Sequence, residues 1–306
     1  MIDQDKPLLF YTTQAGLANR LRALLGYRAM ARLLRRKFLL CWIVDEYCTA
    51  PFHDIFEMEV EVLSPSDGKR LMESGEADVF RKVDWFDAIY RGHESELPCR
   101  KDFMREVWSG LQELRPRRDI LGRLASFCAN YDFRKFTGVH IRHTDNLVTA
   151  DIFRRSNPKF DVASLSTLSG FIAAIGKAVK EGPIFLATDD HKIETLLTRH
   201  YGGHVVSFPK RYVSSPCCCT SAVQDALIEM LLLGRCNRIV GTYFSSFSEF
   251  SAIWGGKDFW QVRGDLCFRN GHVDGLISEL GAIDEEQKSM PRLEIQNSPS
   301  SLPSPL

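Results

Sequence analysis

The chain lacks any charge imbalance: 39 Lys and Arg stand against 39 Asp and Glu, a formal net charge of +0 over 306 residues. No global field therefore draws nucleic acid or an anionic membrane, and any anion affinity must be local. Long apolar runs are missing too. No stretch approaches the roughly 20 residues that span a bilayer, and the start, MIDQDKPLLF, has no basic segment followed by a long apolar one. The expectation is a cytoplasmic protein with no membrane span. The nine cysteines are odd in number, form no C-x-x-C and put Cys217, Cys218 and Cys219 side by side. That suits neither a disulfide framework nor zinc, so reduced, mostly buried thiols are expected. Neither G-x-G-x-x-G nor G-x-x-x-x-G-K-[ST] occurs, which removes the main support for dinucleotide and P-loop readings.

What is present is the composition of an ordinary globular protein, 44% apolar and 25% charged, and enough chain for one large core or two medium ones. Leu8 to Tyr11 reads as a strand, residues 17–36 as a helix with Leu17, Leu21, Leu24, Leu25, Ala31 and Leu34 at helical spacing, and Phe38 to Val44 as a buried strand. That is a β-α-β unit, with parallel strands and a right-handed crossover. The basic stretches Arg28 to Lys37 and Arg115 to Arg118 read as solvated helix faces. From Pro51 to about Lys135 the pattern is less regular, with helices expected near 66–74, 101–114 and 117–131 and no sheet order assigned. From Thr137 onward strands at 138–142, 183–187, 204–208 and 238–242 alternate with helices at 163–180, 190–200, 220–235 and 246–254. Such alternation is the signature of a doubly wound parallel sheet. The expected organisation is a first Rossmann-like half over 1–136, a second over 137–284, and a disordered Ser/Pro-rich tail over 285–306, with a ligand cleft between the halves.

Three segments of the second half end where chemistry gathers in such sheets. TGVHIRHTD, from Thr137 to Asp145, is an apolar strand that delivers His140, Arg142, His143 and Asp145 in succession. Alternation puts Val139 and Ile141 on one face, His140 and Arg142 on the other. The planar fork of Arg142 suits phosphate oxygens. PIFLATDD stops at Asp189 and Asp190, which could accept ligand hydrogen bonds or simply cap the helix that begins at His191. RIVGTYFSSFSEF runs a strand into a serine turn, where Ser246 and Glu249 have capping-box spacing. A helix that starts there aims free N–H groups and its positive end above the sheet, where phosphate binds well. On the helix QDALIEMLLLG, Asp225 reads equally as a local partner or a ligand contact.

In that order, GVHIRHTDN, IFLATDD and QDALIEMLLLGRCNRIVGTYFSSFSEF resemble the donor domain of the alpha-1,6-fucosyltransferases and their nodulation relatives, a superfamily shared with the protein O-fucosyltransferases. The likeness covers about residues 137–255, and QAGLANRLRAL near the start resembles the superfamily's glycine loop. The resemblance implies a two-domain GT-B-like α/β fold, GDP-fucose as donor, a glycan acceptor, and inverting transfer with no metal or other cofactor. Matched by motif, Arg142 grips the donor pyrophosphate with His140 and His143 around it. Asp145 completes the signature, and Asp189 or Asp190 receives base or ribose donors. Ser245, Ser246, Phe247 and Ser248 form the phosphate-facing turn, while Gly16, Asn19 and Arg20 face the donor from the other half. The chain departs from the family at two places. His143 stands where a second arginine is common, and the catalytic glutamate falls on Ala150, which leaves Asp151 or Asp145 as base. Acceptor and linkage stay open, and so do two other readings: a transferase for another GDP-sugar, and a nucleotide-sugar-binding protein with no catalysis.

Overall fold

Two parallel sheets organise the chain, one on either side of residue 136. The structure, a computed structural model, describes residues 6–12, 14–143, 165–210, 212 and 219–289. The first half contributes β1 (Leu8–Tyr11), α1 (Leu17–Leu33), β2 (Phe38–Cys41), β3 (Phe56–Glu57), β4 (Glu61–Val62), α2 (Pro65–Ser74), β5 (Asp78–Phe80), α3 (Phe86–Gly92), α4 (Arg100–Glu113), β6 (Arg115–Pro116) and α5 (Arg118–Cys128). Its main sheet has the order β4-β2-β1-β5, all parallel, while β3 and β6 form a small antiparallel pair. Alternation explains β1: Leu8 and Phe10 join the large core, and Leu9 turns to the opposite face with Leu39 and Cys41. All three are fully buried, each worth about 1.5–3 kcal/mol over an exposed position.

Helix α1 stops at Leu33, where Arg35 turns the chain at φ 53°, three residues short of the expected end. It packs against α3 and α4 and is buried along most of its length, with Arg20 and Arg28 inside and Arg32 exposed. Arg28 is 6% exposed and pairs with Glu113 of α4, and Arg36 is 7% exposed and pairs with Asp78 at 2.7 Å. This corrects the sequence reading of that basic stretch at Arg28 and Arg36, which are buried against carboxylates from elements far along the chain; Arg32, Arg35 and Lys37 are exposed, as that reading expected.

The second half contributes β7 (Thr137–Ile141), α6 (Leu168–Ala178), β8 (Ile184–Thr188), α7 (His191–Tyr201), β9 (Val205–Ser207), α8 (Thr220–Leu233), β10 (Arg238–Thr242), α9 (Ser246–Gly255), β11 (Asp258–Arg263), β12 (Leu266–Arg269) and α10 (Gly271–Ser289). The sheet order is β12-β11-β10-β7-β8-β9, parallel except for β12. Helix α6 starts at Leu168 because the Thr167 side chain accepts from the Gly170 amide at 3.0 Å.

The halves share one continuous apolar core. Helix α10 then returns from the second half to the first, where Arg100 of α4 makes a bidentate pair with Glu279 at 2.9 and 2.8 Å, and Lys101 reaches Glu286 at 2.8 Å. Residues 285–289, read from sequence as tail, are helical, and 290–306 lie outside the described residues. The expectation of mostly buried thiols holds for Cys41, Cys48 and Cys236, whereas Cys99, Cys219 and Cys267 are exposed. Among the described residues no helix is long and apolar enough to cross a membrane.

Candidate functional site

In the second sheet β7 is followed in sequence by β8 on one side, while β10 lies on the other, so the order reverses between β7 and β10. Loops leave such a switch point in opposite directions and open a crevice at the strand ends. Thr242, the last residue of β10, is fully buried and stitches the crevice floor: its hydroxyl donates to the His140 carbonyl at 3.0 Å and accepts the Arg142 amide at 2.9 Å. Arg142 is thereby fixed at the first position past β7, half-buried at the tip. Nothing in the sequence singled out Thr242, and only the register of β10 beside β7 reveals it.

His140 lies lower. It is 7% exposed, and its ring stacks on Phe247 with centroids 4.7 Å apart. Burial, with help from Arg142 and Lys210, holds its imidazole down at about 3, so it is neutral throughout the neutral range. Its Nδ1 and the Ser245 hydroxyl are buried without a hydrogen-bond partner among the described residues. The pair His140 and Phe247 is thus the floor beneath the tip.

Helix α9 begins at Ser246 as expected, but by another device than the capping box. Ser245 is the N-cap residue, and no side chain caps it. The first helical amide to find a carbonyl is that of Glu249, 3.2 Å from Ser245 O, which leaves the amides of Ser246, Phe247 and Ser248 without a carbonyl in the helix. Glu249 does not reach back to close the box. Burial raises the pKa of its carboxyl, against the pull of Arg22 from the first half and of His272 on α10. Ser248 is fully buried and donates to Ser245 O at 3.2 Å. A Cβ on Gly241 would lie 2.3 Å from the Ser248 hydroxyl, so only glycine lets the helix start seat this closely on β10. Phe244 precedes the turn at φ 59°, a strained value for a bulky residue, and is 64% exposed.

Past β8, both aspartates engage His143. Asp189 accepts the His143 amide at 2.7 Å, and Asp190 meets the His143 Nδ1 at 2.9 Å. Asp190 also caps α7, accepting from the Lys192 amide at 2.7 Å. These contacts depress the Asp190 carboxyl against its burial. Asp225 pairs with Arg123 of α5, a cation from the first half rather than a local partner on its own helix.

The first sheet repeats the design. Its order reverses between β1 and β5, and the loop after β1 leads into α1. Gly16 is the N-cap residue of α1 with no capping side chain, and a Cβ there would meet nothing within 4 Å. Asn19 is half-buried on the first turn. Arg20 is fully buried. It donates to Ala15 O at 2.6 Å, Thr12 Oγ1 at 3.2 Å and Asp45 Oδ1 at 2.7 Å, and also to Ile43 O, with its guanidinium over the Trp42 ring. Asp45 in turn accepts the amides of Gln14, Tyr47 and Cys48 at 3.0, 2.9 and 3.0 Å. Arg20 therefore ties the loop after β1 to the loop after β2, with its charge directed into the protein. Asp145, Ala150 and Asp151 lie outside the described residues.

By sequence, no family model and no curated protein matches the chain. Solved structures do. The structure of NodZ alpha-1,6-fucosyltransferase soaked with GDP-fucose aligns over 87% of this chain and 100% of its own, with TM-score 0.54 and 18% identity. Fucosyltransferase NodZ from Bradyrhizobium gives 0.55 at 17% identity over 87% and 99%. POFUT1 in complex with GDP gives 0.51 at 13% identity over 85% and 99%. At such identities the likeness is one of fold: the chain has the α/β, GT-B-like fold of these fucosyltransferases, as its motifs led one to expect.

Proposed function

We propose that this chain is an inverting glycosyltransferase that moves fucose from GDP-fucose to a carbohydrate hydroxyl. The supporting observation is the tip between β7 and β10, where Arg142 is set by Thr242 beside three helix amides that lack a carbonyl in α9. Departure of a diphosphate from the anomeric carbon builds negative charge on phosphate oxygens while the sugar becomes oxocarbenium-like. A fixed guanidinium and helix amides stabilise that charge without reorganising. His143, held by Asp189 and Asp190, borders the same space. In this reading residues 137–284 hold the donor, the half over 1–136 faces the acceptor glycan, and no metal or other cofactor takes part. The acceptor hydroxyl requires a carboxylate base, Asp151 or Asp145. Asp151→Asn should cripple transfer and leave GDP affinity intact; a fully active variant would move the role elsewhere.

A second reading, a nucleotide-sugar-binding protein with no catalysis, is favoured by Ala150 at the family's glutamate position. One experiment separates the two. Purified protein is titrated with GDP by calorimetry and incubated with GDP-fucose and a panel of glycans. Fucosylated product supports the transferase; GDP binding without hydrolysis or transfer supports the binding protein; indifference to GDP ends both.

A further inference from the structure

Beneath the tip of β8 lies an ion pair outside the proposed donor site at Arg142 and the start of α9. Lys210 and Glu229 have side chains only 10% and 7% exposed. The ammonium bonds both carboxylate oxygens, at 2.6 and 2.7 Å, and spends a third donor on the Thr188 carbonyl at 2.6 Å. Tyr212 lays its ring 5.0 Å from the same nitrogen and donates its hydroxyl to Glu194 of α7.

Such a pair is a poor way to stabilise a fold. Removing two charges from water costs several kcal/mol per ion, and apolar side chains of similar volume often do as well or better. The cost is visible at Glu229, where burial pushes the carboxyl up to about 7 against the pull of Lys210, with Glu194 and Asp225 adding to the rise. A reason other than stability is called for, and the position of Thr188 supplies it. β9 ends at Ser207, opposite Leu186, so on that edge the ladder stops two residues before Thr188. Lys210 provides the bond the missing strand would have made. The next two residues are Asp189 and Asp190, whose carboxylates engage the amide and imidazole of His143.

We propose that Lys210 and Glu229 are a positioning pair for the nucleotide donor: by fixing the peptide after Thr188 they aim Asp189 and Asp190, and through them His143, at the nucleoside diphosphate. Glu229 holds the ammonium in place, and the ammonium holds the strand end. The inference rests on the function proposed above.

The test compares wild type with Lys210→Met, Glu229→Gln and the double variant Lys210→Met/Glu229→Leu, which keeps the buried volume while removing both charges. Thermal unfolding, the Kd for GDP, and kcat and KM for GDP-fucose are measured for each. The double variant is expected to melt at or above the wild-type temperature while its Kd for GDP and KM for GDP-fucose rise about tenfold, the size of one lost charge-assisted hydrogen bond; kcat should stay within about twofold, because the interaction is made equally in ground and transition states. A double variant that folds and binds GDP as tightly as wild type overturns the role of the pair, as does a loss confined to kcat. Wild-type protein that ignores GDP overturns the proposed function itself, a result distinguishable from the first because it does not depend on the variants.

Discussion

Arg20 and Arg142 both follow the carboxyl end of a central strand, Arg20 in the first turns of α1 and Arg142 at the first position past β7, and both sheets reverse their order beside that strand. Arg20 has no exposed surface and hydrogen-bonds four groups of its own half. Arg142 remains half-buried at the tip, and its backbone rather than its side chain is fixed by Thr242. The difference lies in burial and in what lies underneath. After β2 the chain offers Asp45 and the Ile43 carbonyl to a guanidinium with no exposed surface, whereas the Arg142 tip stays partly open above His140 stacked on Phe247. Arg20 ties two loops together; under the proposed function Arg142 serves the donor phosphates.

The largest expected effect breaks the architectural member of the pair. Arg20→Ala leaves Asp45 and two carbonyls without their donor and should cost about 3–5 kcal/mol of stability, as when one partner of a buried pair is removed. Urea unfolding measures it, and a midpoint equal to wild type would contradict the assignment. Arg142→Ala should keep the fold and lose about 10²–10³ in kcat, the scale for one deleted donor to developing oxyanion charge. Near-normal turnover in a folded variant would remove Arg142 from the mechanism.

Acid sharpens the contrast in a different way. The folded-state pKa of His140 lies near 3, below the ordinary 6.5, so its neutral burial contributes stability that is complete above the unfolded value and is lost as pH falls from about 6.5 toward 3. The gap in urea midpoint between wild type and His140→Gln should therefore change steadily across that interval and be constant above pH 7. Parallel curves would mean that the histidine ionises freely. The smallest effect concerns the first-half tip. Gly16→Ser adds a capping hydroxyl and should raise stability by a few tenths of a kcal/mol, while the same hydroxyl competes for the α1 amides and weakens GDP binding. Unchanged calorimetric affinity would show that this helix start does not meet the donor.

The second half was legible because β7, β8 and β10 each run five residues, buried throughout except at Arg238, and the next described element after each is a helix of at least ten. Periodicity of that length leaves little ambiguity. β3, β4 and β6 run only two residues each, too short for alternation to register, and β12 is exposed along its whole length. α10 went unread because Gly275 and Gly281 interrupt its apolar pattern. Within the site, Arg142, His143 and the two aspartates stood out as charges at strand ends. Lys210 did not, since its partner Glu229 lies on a separate element. One signal was available: the lone carboxylate in ALIEMLLL sits in a helix otherwise apolar, and a buried acid there demands a cation from elsewhere. Asp45 had no comparable mark, because its role exists only once β1 and β2 lie side by side.

Helix α10 has a consequence for how the chain is made. On α4, Arg100 and Lys101 meet their carboxylates, and Arg105 its second one after Asp102, only when residues 279 and 286 arrive, and Trp108 likewise awaits Gln287. During synthesis the ribosome must therefore emit some 180 further residues, about 10–35 s at ordinary elongation rates, before the earlier sheet is fully clothed. A newborn chain halted short of that helix would leave this flank of α4 bare, and the arrival of α10 would close it like a clasp.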